Sequence, residues 1–319
     1  MIERKETLKT VIITGGNTGL GYACAKNIAE QKSNWFIVLA CRNQQKAKEA
    51  SEKMKKETSN NNIDFLLLDL ASIKLVRDFA DEFIKKQFPP LQGIICDAGV
   101  SLSDAISITV DGIETTFQVN CLSHFLLINL LLSHLRIPAR ILFVSSELHR
   151  NDGPLKSFWP DFKNAQRIAY PEQSLRPIKK SGSQRYSTSK LCLLMYTYEL
   201  ALRLPLNGFE HITVNAYNPG LMPDTGLGGL NKKLLRKLFL KYIIPLFAKG
   251  AVSNPKNSGK ILADLLISPN YENVTGKYFD RAKRINSSGE SHDLKKSLDL
   301  WNTSIHLLGI KKDFLGKRS

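Results

Sequence analysis

The 319-residue chain lacks the residues for a disulfide frame, a metal cluster or a membrane span. Its five cysteines, Cys24, Cys41, Cys96, Cys121 and Cys192, are odd in number and form no CxxC pair. That pattern excludes a cysteine-held zinc site and reads as buried thiols in a reducing compartment. The most strongly apolar stretch, Phe125-Leu126-Leu127-Ile128-Asn129-Leu130-Leu131-Leu132, falls well short of the roughly 20 residues that cross a bilayer. The opening residues MIERKETLKT carry charges and no apolar run, so no secretory signal is expected and a cytoplasmic location is. There is no internal repeat and no low-complexity linker.

Acid is scarce as well. The net charge is +16, although 43% hydrophobic and 23% charged residues are ordinary for a soluble globular chain. A basic balance points to nucleic acid, an anionic membrane surface or an anionic cofactor. Zinc-finger spacing, an aromatic RNA-binding signature and a separate basic tail are all missing, so no nucleic-acid partner is expected. Residues 231–250, NKKLLRKLFLKYIIPLFAKG, hold six Lys/Arg and no acid, with Leu234, Leu235, Leu238, Phe239 and Tyr242 at helical spacing. Two readings stand. One is a lid with its apolar face over a substrate pocket. The other is peripheral contact with anionic membrane.

What is present is an alternation of apolar strands and amphipathic helices. Strands are expected at about 10–14, 35–40, 63–68, 92–96, 139–145 and 211–217, with a shorter seventh at 276–279. Helices are expected at about 19–31, 43–58, 72–87, 112–135, 186–203 and 257–268. Continuously apolar strands such as Phe36-Ile37-Val38-Leu39-Ala40 suit a parallel sheet buried on both faces. The expectation is a single-domain α/β chain over 1–319, a doubly wound, Rossmann-like fold with a seven-stranded parallel sheet. It carries an irregular insertion at 147–185 and a substrate-side segment at 221–256.

The first strand, Val11-Ile12-Ile13-Thr14, runs straight into Gly15-Gly16-Asn17-Thr18-Gly19-Leu20-Gly21 and then a helix. Strand, glycine turn and helix start together hold a pyrophosphate, whose charge meets free N–H groups and the positive end of the helix dipole. Gly15, Asn17, Thr18, Gly19, Leu20 and Gly21 are therefore candidate cofactor-binding residues. The second strand ends in Ala40-Cys41-Arg42. An NAD site usually places an acid there for the ribose hydroxyl; Arg42 suits a 2′-phosphate and points to NADP(H). Asp69, in Leu68-Asp69-Leu70 at the end of the third strand, is either an acceptor for the adenine amino group or a helix-entry acid.

Tyr186 and Lys190 lie four residues apart on an expected helix, on one face of it. A free phenol has a pKa of about 10. An adjacent ammonium lowers it, which suits proton transfer near neutrality. Ser146 ends the fifth strand, where such sheets bind ligands, and its hydroxyl is placed to hold a substrate oxygen. No metal-ligand spacing accompanies these residues.

Taken together the chain resembles the short-chain dehydrogenase/reductase family. The matching pieces are Thr14-Gly15, Gly19-Leu20-Gly21, Leu68-Asp69-Leu70, Asp97-Ala98-Gly99, Val119-Asn120, Ser145-Ser146, Tyr186 with Lys190, and Pro219-Gly220, in the family's order. The resemblance implies a tetrad. Asn120 would kink its helix and hold a water against Lys190, Ser146 would bind the substrate oxygen, and Tyr186 would be general acid/base. Lys190 would anchor the ribose, and Pro219 and Gly220 would lie beside the nicotinamide. It also implies cofactor contacts from Leu70, Asp97, Ala98 and Gly99. The family usually has asparagine at the position of Asp97.

Within the family, Ala40-Cys41-Arg42, Asp69-Leu70-Ala71-Ser72, Ser123-His124-Phe125-Leu126-Leu127, Ser189-Lys190-Leu191-Cys192 and Asp224-Thr225 resemble the protochlorophyllide reductase and retinol dehydrogenase-like branch. The protochlorophyllide enzymes carry a cysteine directly after Pro-Gly; this chain has Leu221. The expectation is an NADP(H)-dependent oxidoreductase acting on a carbonyl or alcohol carbon of a bulky lipophilic substrate. Two alternatives stand beside it: reduction of a tetrapyrrole double bond, and a sensor or scaffold that binds NADP(H) without turnover. The long helices are where two subunits of a homo-oligomer would pair, as in this family they often do.

Overall fold

A computed structural model of the chain describes residues 8–31, 34–101, 105–152, 156–171, 181–222, 253–310 and 315–316. Most of the substrate-side segment, with the basic stretch 231–250 and Asp224-Thr225, lies outside the described residues, as do parts of the 147–185 insertion.

The strands are β1 (Lys9–Thr14), β2 (Trp35–Cys41), β3 (Ile63–Leu67), β4 (Leu91–Cys96), β5 (Leu135–Val144), β6 (Ile212–Asn218), β7 (Lys277–Asp280) and β8 (Lys283–Ile285). They form one sheet in the order β3-β2-β1-β4-β5-β6-β7-β8. Pairing is parallel throughout except for β7 and β8, which are antiparallel. Among the described residues the sheet therefore has eight strands, not the expected seven parallel ones. The extra strand is a three-residue edge element, Lys283-Arg284-Ile285, with no buried position and so no apolar run to announce it. It returns through Arg281, whose φ of 55° lies in the left-handed region.

The helices are α1 (Gly19–Glu30), α2 (Gln44–Thr58), α3 (Ile73–Lys85), α4 (Thr115–His134), α5 (Ala165–Ala169), α6 (Gly182–Leu206), α7 (Pro255–Ile267) and α8 (Leu294–Leu307). α6 begins earlier than its apolar pattern suggests, because the Ser181 side chain caps it by accepting from Gln184 N. α8 lies beyond the elements expected; the Asp293 carboxylate caps it by accepting from both Lys295 N and Lys296 N.

Side chains alternate between the two faces. Val11 and Ile13 enter one core with Ile28 and Leu262, and Ile12 enters the other with Phe117, Phe125 and Trp301. α4 is apolar and long enough to cross a membrane, yet it is a buried core helix. Its Phe125 stacks on Tyr196 of α6 at 4.7 Å and meets Trp301 of α8 edge-on at 4.9 Å. On the other face α1 and α7 pack closely. A Cβ on Gly259 would fall 2.6 Å from the Cβ of Ala23. All five cysteines are free and buried.

The strand order reverses direction between β1 and β4. In such sheets the carboxyl ends at that reversal form the ligand crevice.

Candidate active site

The crevice begins at the end of β1. Gly15 has φ +71°, a conformation side chains resist, and a Cβ there would also come within 3.2 Å of Ala98 Cα. Gly21, in the first turn of α1, has no such strain. Its need is space, since a Cβ would lie 2.8 Å from both Asp97 Oδ2 and Gly15 O. Thr18 caps α1 with extended backbone and no side-chain hydrogen bond, and the first turn contains no acid. The turn thus keeps donors and positive dipole for an anion. The buried Cys41 thiol accepts from the N–H groups of Gly16 and Asn17, and burial pushes its pKa up to about 12. Asn17, Thr18, Gly19 and Leu20 complete this turn.

Thr14 fixes the facing turn after β4. Its Oγ1, fully buried, accepts from Asp97 N and Ala98 N, both at 3.0 Å. The Asp97 carboxyl accepts from Gly21 N–H, and burial raises its pKa to about 7 against the lowering effects of Lys190 and that amide. A Cβ on Gly99 would be 3.2 Å from Asn120 Oδ1 and 3.8 Å from Lys190 Nζ, so this glycine lets both side chains reach the site.

α4 widens to π geometry at Gln118–Leu122, around Asn120. Bulges of this kind recur at functional sites. The Asn120 side chain, with no exposed surface, accepts from Val100 N at 2.7 Å and donates to Val100 O at 3.0 Å and Ser189 Oγ at 2.9 Å. The backbone carbonyl of Asn120 lies 3.0 Å from His124 Nδ1.

Ser146 follows β5, its hydroxyl accepts from Leu148 N at 3.3 Å, and it stands near enough to the Tyr186 phenol to lower that group's pKa. Tyr186 is partly exposed on α6. One turn on, buried Lys190 donates to Val144 O at 2.8 Å, with its Nζ 5.4 Å from the Tyr186 ring centroid. Ser145 Oγ donates to Lys190 O at 3.0 Å and ties α6 to β5. Burial, then the Asp97 charge, raises the Tyr186 pKa, and the Ser146 hydroxyl only partly opposes them. Burial lowers the Lys190 pKa, while Cys121 and Asp97 pull it back up. The phenol is therefore shifted opposite to the direction that the lysine alone would impose. Lys190 gives one of its three N–H bonds to a backbone carbonyl, and burial, with the Asp97 charge behind it, sets the direction of the phenol's shift.

Beyond β6, Pro219 O accepts from Ser258 Oγ at 2.7 Å, and Gly220 N donates to Asn218 Oδ1 at 3.2 Å. The end of the sheet thus assembles Asn120, Ser146, Tyr186, Lys190, Asp97, Ala98, Gly99, Pro219 and Gly220 beside the glycine turn. Arg42 and Asp69 stand further along, after β2 and β3. Arg42 is exposed. Asp69 Oδ1 accepts from Ala71 N at 2.9 Å, as a helix-entry acid does, while Leu70 is buried with its carbonyl accepting from Ser123 Oγ at 2.6 Å.

Two histidines were not among the residues singled out by pattern. His149 Nδ1 lies 2.7 Å from Ser146 O, and its Nε2 accepts from Ser288 N at 3.0 Å. His124 Nε2 lies 3.0 Å from Thr14 Oγ1. His124 occurs in the run that resembles the retinol dehydrogenase-like branch, but its partner is 110 residues away and no spacing announces the bond.

The short chain dehydrogenase family model matches residues 9–159. Human retinol dehydrogenase 13 is 33% identical over 308 residues, covering 95% of this chain and 85% of that protein. The chain belongs to the short-chain dehydrogenase/reductase family. The WW domain-containing oxidoreductase of Danio rerio is 32% identical over 302 residues, covering 94% of this chain and 68% of that one. Among solved structures, an uncharacterized protein from Mycobacterium paratuberculosis superposes with a TM-score of 0.65 at 24% identity, covering 95% of this chain and 94% of its own. A blue fluorescent protein from a metagenomic library, solved with NADPH, gives a TM-score of 0.62 at 21% identity over 86% of this chain and 96% of its own. The family and its retinol dehydrogenase-like members make this chain an NAD(P)-dependent oxidoreductase with a Rossmann nucleotide-binding fold.

Proposed function

We propose that the chain transfers a hydride between NADP(H) and a carbonyl or alcohol carbon of a bulky lipophilic substrate, with Tyr186 as general acid/base. The observation that carries this reading is the convergence of Ser146, Tyr186 and Lys190 at the carboxyl end of β5, with Lys190 Nζ 5.4 Å from the Tyr186 ring centroid.

The residues present fit a dinucleotide. The glycine turn at 15–21 offers backbone donors to the pyrophosphate. Arg42, exposed after β2 with no acid beside it, suits the 2′-phosphate. Lys190 is placed for ribose hydroxyls, and Pro219 and Gly220 for the nicotinamide side. The group supplies the hydride. Everything else falls to this chain. Ser146 Oγ holds the substrate oxygen, and the Tyr186 phenol gives that oxygen its proton or takes it. Their adjacency at the end of β5 aligns the two groups, and Asn120 holds the Ser189 hydroxyl, next to Lys190 on α6. The raised phenol pKa keeps Tyr186 protonated at neutral pH, the form that donates to a carbonyl in the reducing direction.

The names of the relatives support a lipophilic alcohol or aldehyde, since retinol is one. Leu221 after Gly220 offers no thiol, which weighs against the tetrapyrrole alternative. A phenol set beside a serine hydroxyl and a buried lysine has no use in a sensor that never transfers a proton. The test is NADPH oxidation, with NADH in parallel, against lipophilic aldehydes, ketones and protochlorophyllide, the last with and without light. Turnover confined to the aldehydes and ketones supports the reading. Conversion of protochlorophyllide alone replaces it.

A further inference from the structure

His124 belongs to no part of the proposed proton path, yet both its ring nitrogens are anchored between that path and the cofactor turn. It is 1% exposed. Nδ1 sits 3.0 Å from Asn120 O, and Nε2 sits 3.0 Å from Thr14 Oγ1. The proton positions follow from the partners. A carbonyl only accepts, so Nδ1 carries the hydrogen. Nε2 is then bare and needs a donor. Thr14 Oγ1 already accepts from Asp97 N and Ala98 N, so its own hydrogen is free to point at the imidazole, closer than the alternative acceptor Ile95 O at 3.4 Å. Burial lowers the His124 pKa to about 4 and keeps this neutral form at working pH.

The bonds form one strut. It starts at the amides of Asp97 and Ala98, on the turn packed against Gly15, and passes through Thr14 and the imidazole. It ends on the Asn120 carbonyl inside the π-widened turn of α4. That widening replaces the regular α-helical bonding around Asn120, and the imidazole adds a side-chain bond to its backbone carbonyl. Asn120 then clamps Val100 and Ser189, the residue before Lys190.

We propose that His124 is a positioning residue that fixes the cofactor-side turn at 97–99 and the Asn120 carbonyl relative to each other, so that dinucleotide binding and proton transfer share one rigid frame. This rests on the proposed function above. Two-point spacing is what only an imidazole supplies here. An asparagine keeps the donor towards Asn120 O and loses the acceptor for Thr14. A leucine loses both.

The experiment compares the unmodified chain with His124→Asn and His124→Leu, reading NADPH affinity by fluorescence titration, kcat and KM with a substrate aldehyde, and thermal midpoint. Leucine is expected to weaken NADPH binding about tenfold. It is also expected to lower kcat about 10²-fold, the loss that a misplacement of about 1 Å brings. Asparagine is expected to recover much of kcat while NADPH affinity stays weak, a split that general loosening of the fold does not produce. Folded variants with affinity and kcat within about twofold of the unmodified chain overturn the proposal. So do losses that merely track the thermal midpoint. Should both variants fail to fold, nitrogen-15 NMR of the unmodified chain decides. A single Nδ1–H tautomer at pH 6–8, with ring signals that shift on adding NADPH, supports the strut. An Nε2–H tautomer or a ring blind to NADPH overturns it. If the unmodified chain binds no NADPH or NADH, the functional reading fails, and this inference with it.

Discussion

The Lys190 ammonium donates to Val144 O at 2.8 Å and stands 5.4 Å from the centroid of the Tyr186 ring. The lysine is thus held by the sheet, one helical turn from the phenol. Tyr186→Phe removes the proton donor and leaves the cofactor-side backbone untouched. Turnover is expected to fall about 10²–10⁴-fold with NADPH affinity nearly unchanged. Lys190→Ala is expected to lower both. Single-turnover kinetics with fluorescence titration of NADPH separates the two effects, and unchanged turnover in Tyr186→Phe assigns the proton to another group.

Asp97 brings a pH dependence of its own. Its carboxyl accepts from Gly21 N–H in the glycine turn and has a pKa raised to about 7. The folded value lies above the unfolded one, so the charged form is the disfavoured one. Its contribution to stability is present below about pH 4 and is lost as pH rises through about 7. The same charge repels a dinucleotide phosphate. NADPH affinity is expected to fall between pH 6 and 8, and Asp97→Asn is expected to flatten that fall. Titrations at the two pH values check it.

Cofactor choice tests Arg42. NADPH is expected to bind at least about tenfold tighter than NADH, roughly 1.4 kcal/mol, and Arg42→Ala to erase most of the gap. Equal affinities in the unmodified chain contradict this.

Acid should unfold the protein through its buried imidazoles. His149 makes a bond at each ring nitrogen, to Ser146 O and from Ser288 N, and burial lowers its pKa to about 4. His124 has the same low value. The folded values lie below the unfolded value of about 6.5, so the unfolded chain takes up these protons first. The contribution of these two imidazoles is then constant above about pH 6.5 and declines towards pH 4, by up to on the order of 3 kcal/mol for each group, so Asp97→Asn is the background in which it is read free of the opposing Asp97 trend. Urea midpoints across that range are expected to show the decline, with a shallower slope in His149→Asn.

How much was legible depended on whether a feature is local. β1, β2 and β4 read directly as apolar runs because both their faces are buried. The four-residue interval between Tyr186 and Lys190 read directly because helix geometry alone puts both on one face. β8 did not, since Lys283-Arg284-Ile285 is an edge strand held by backbone pairing with β7. α8 was missed because its anchor, Trp301, is fixed by contact with Phe125 from far upstream. The Thr14–His124 bond spans 110 residues and belongs to the same class. The direction of the Tyr186 shift was misread from sequence for a different reason. Spacing gives the position of the ammonium but says nothing of desolvation, which is the largest cause of the shift.

The central claim is hydride transfer with Tyr186 handling the proton, and deuterium tracing tests it most directly. NADPH deuterated at the transferable position is incubated with a lipophilic aldehyde, and the alcohol is analysed by mass spectrometry. The account predicts one deuterium on the alcohol carbon with the unmodified chain and almost none with Tyr186→Phe over the same time. NADPH that binds but delivers no deuterium to any aldehyde or ketone, or equal labelling by Tyr186→Phe, would contradict it.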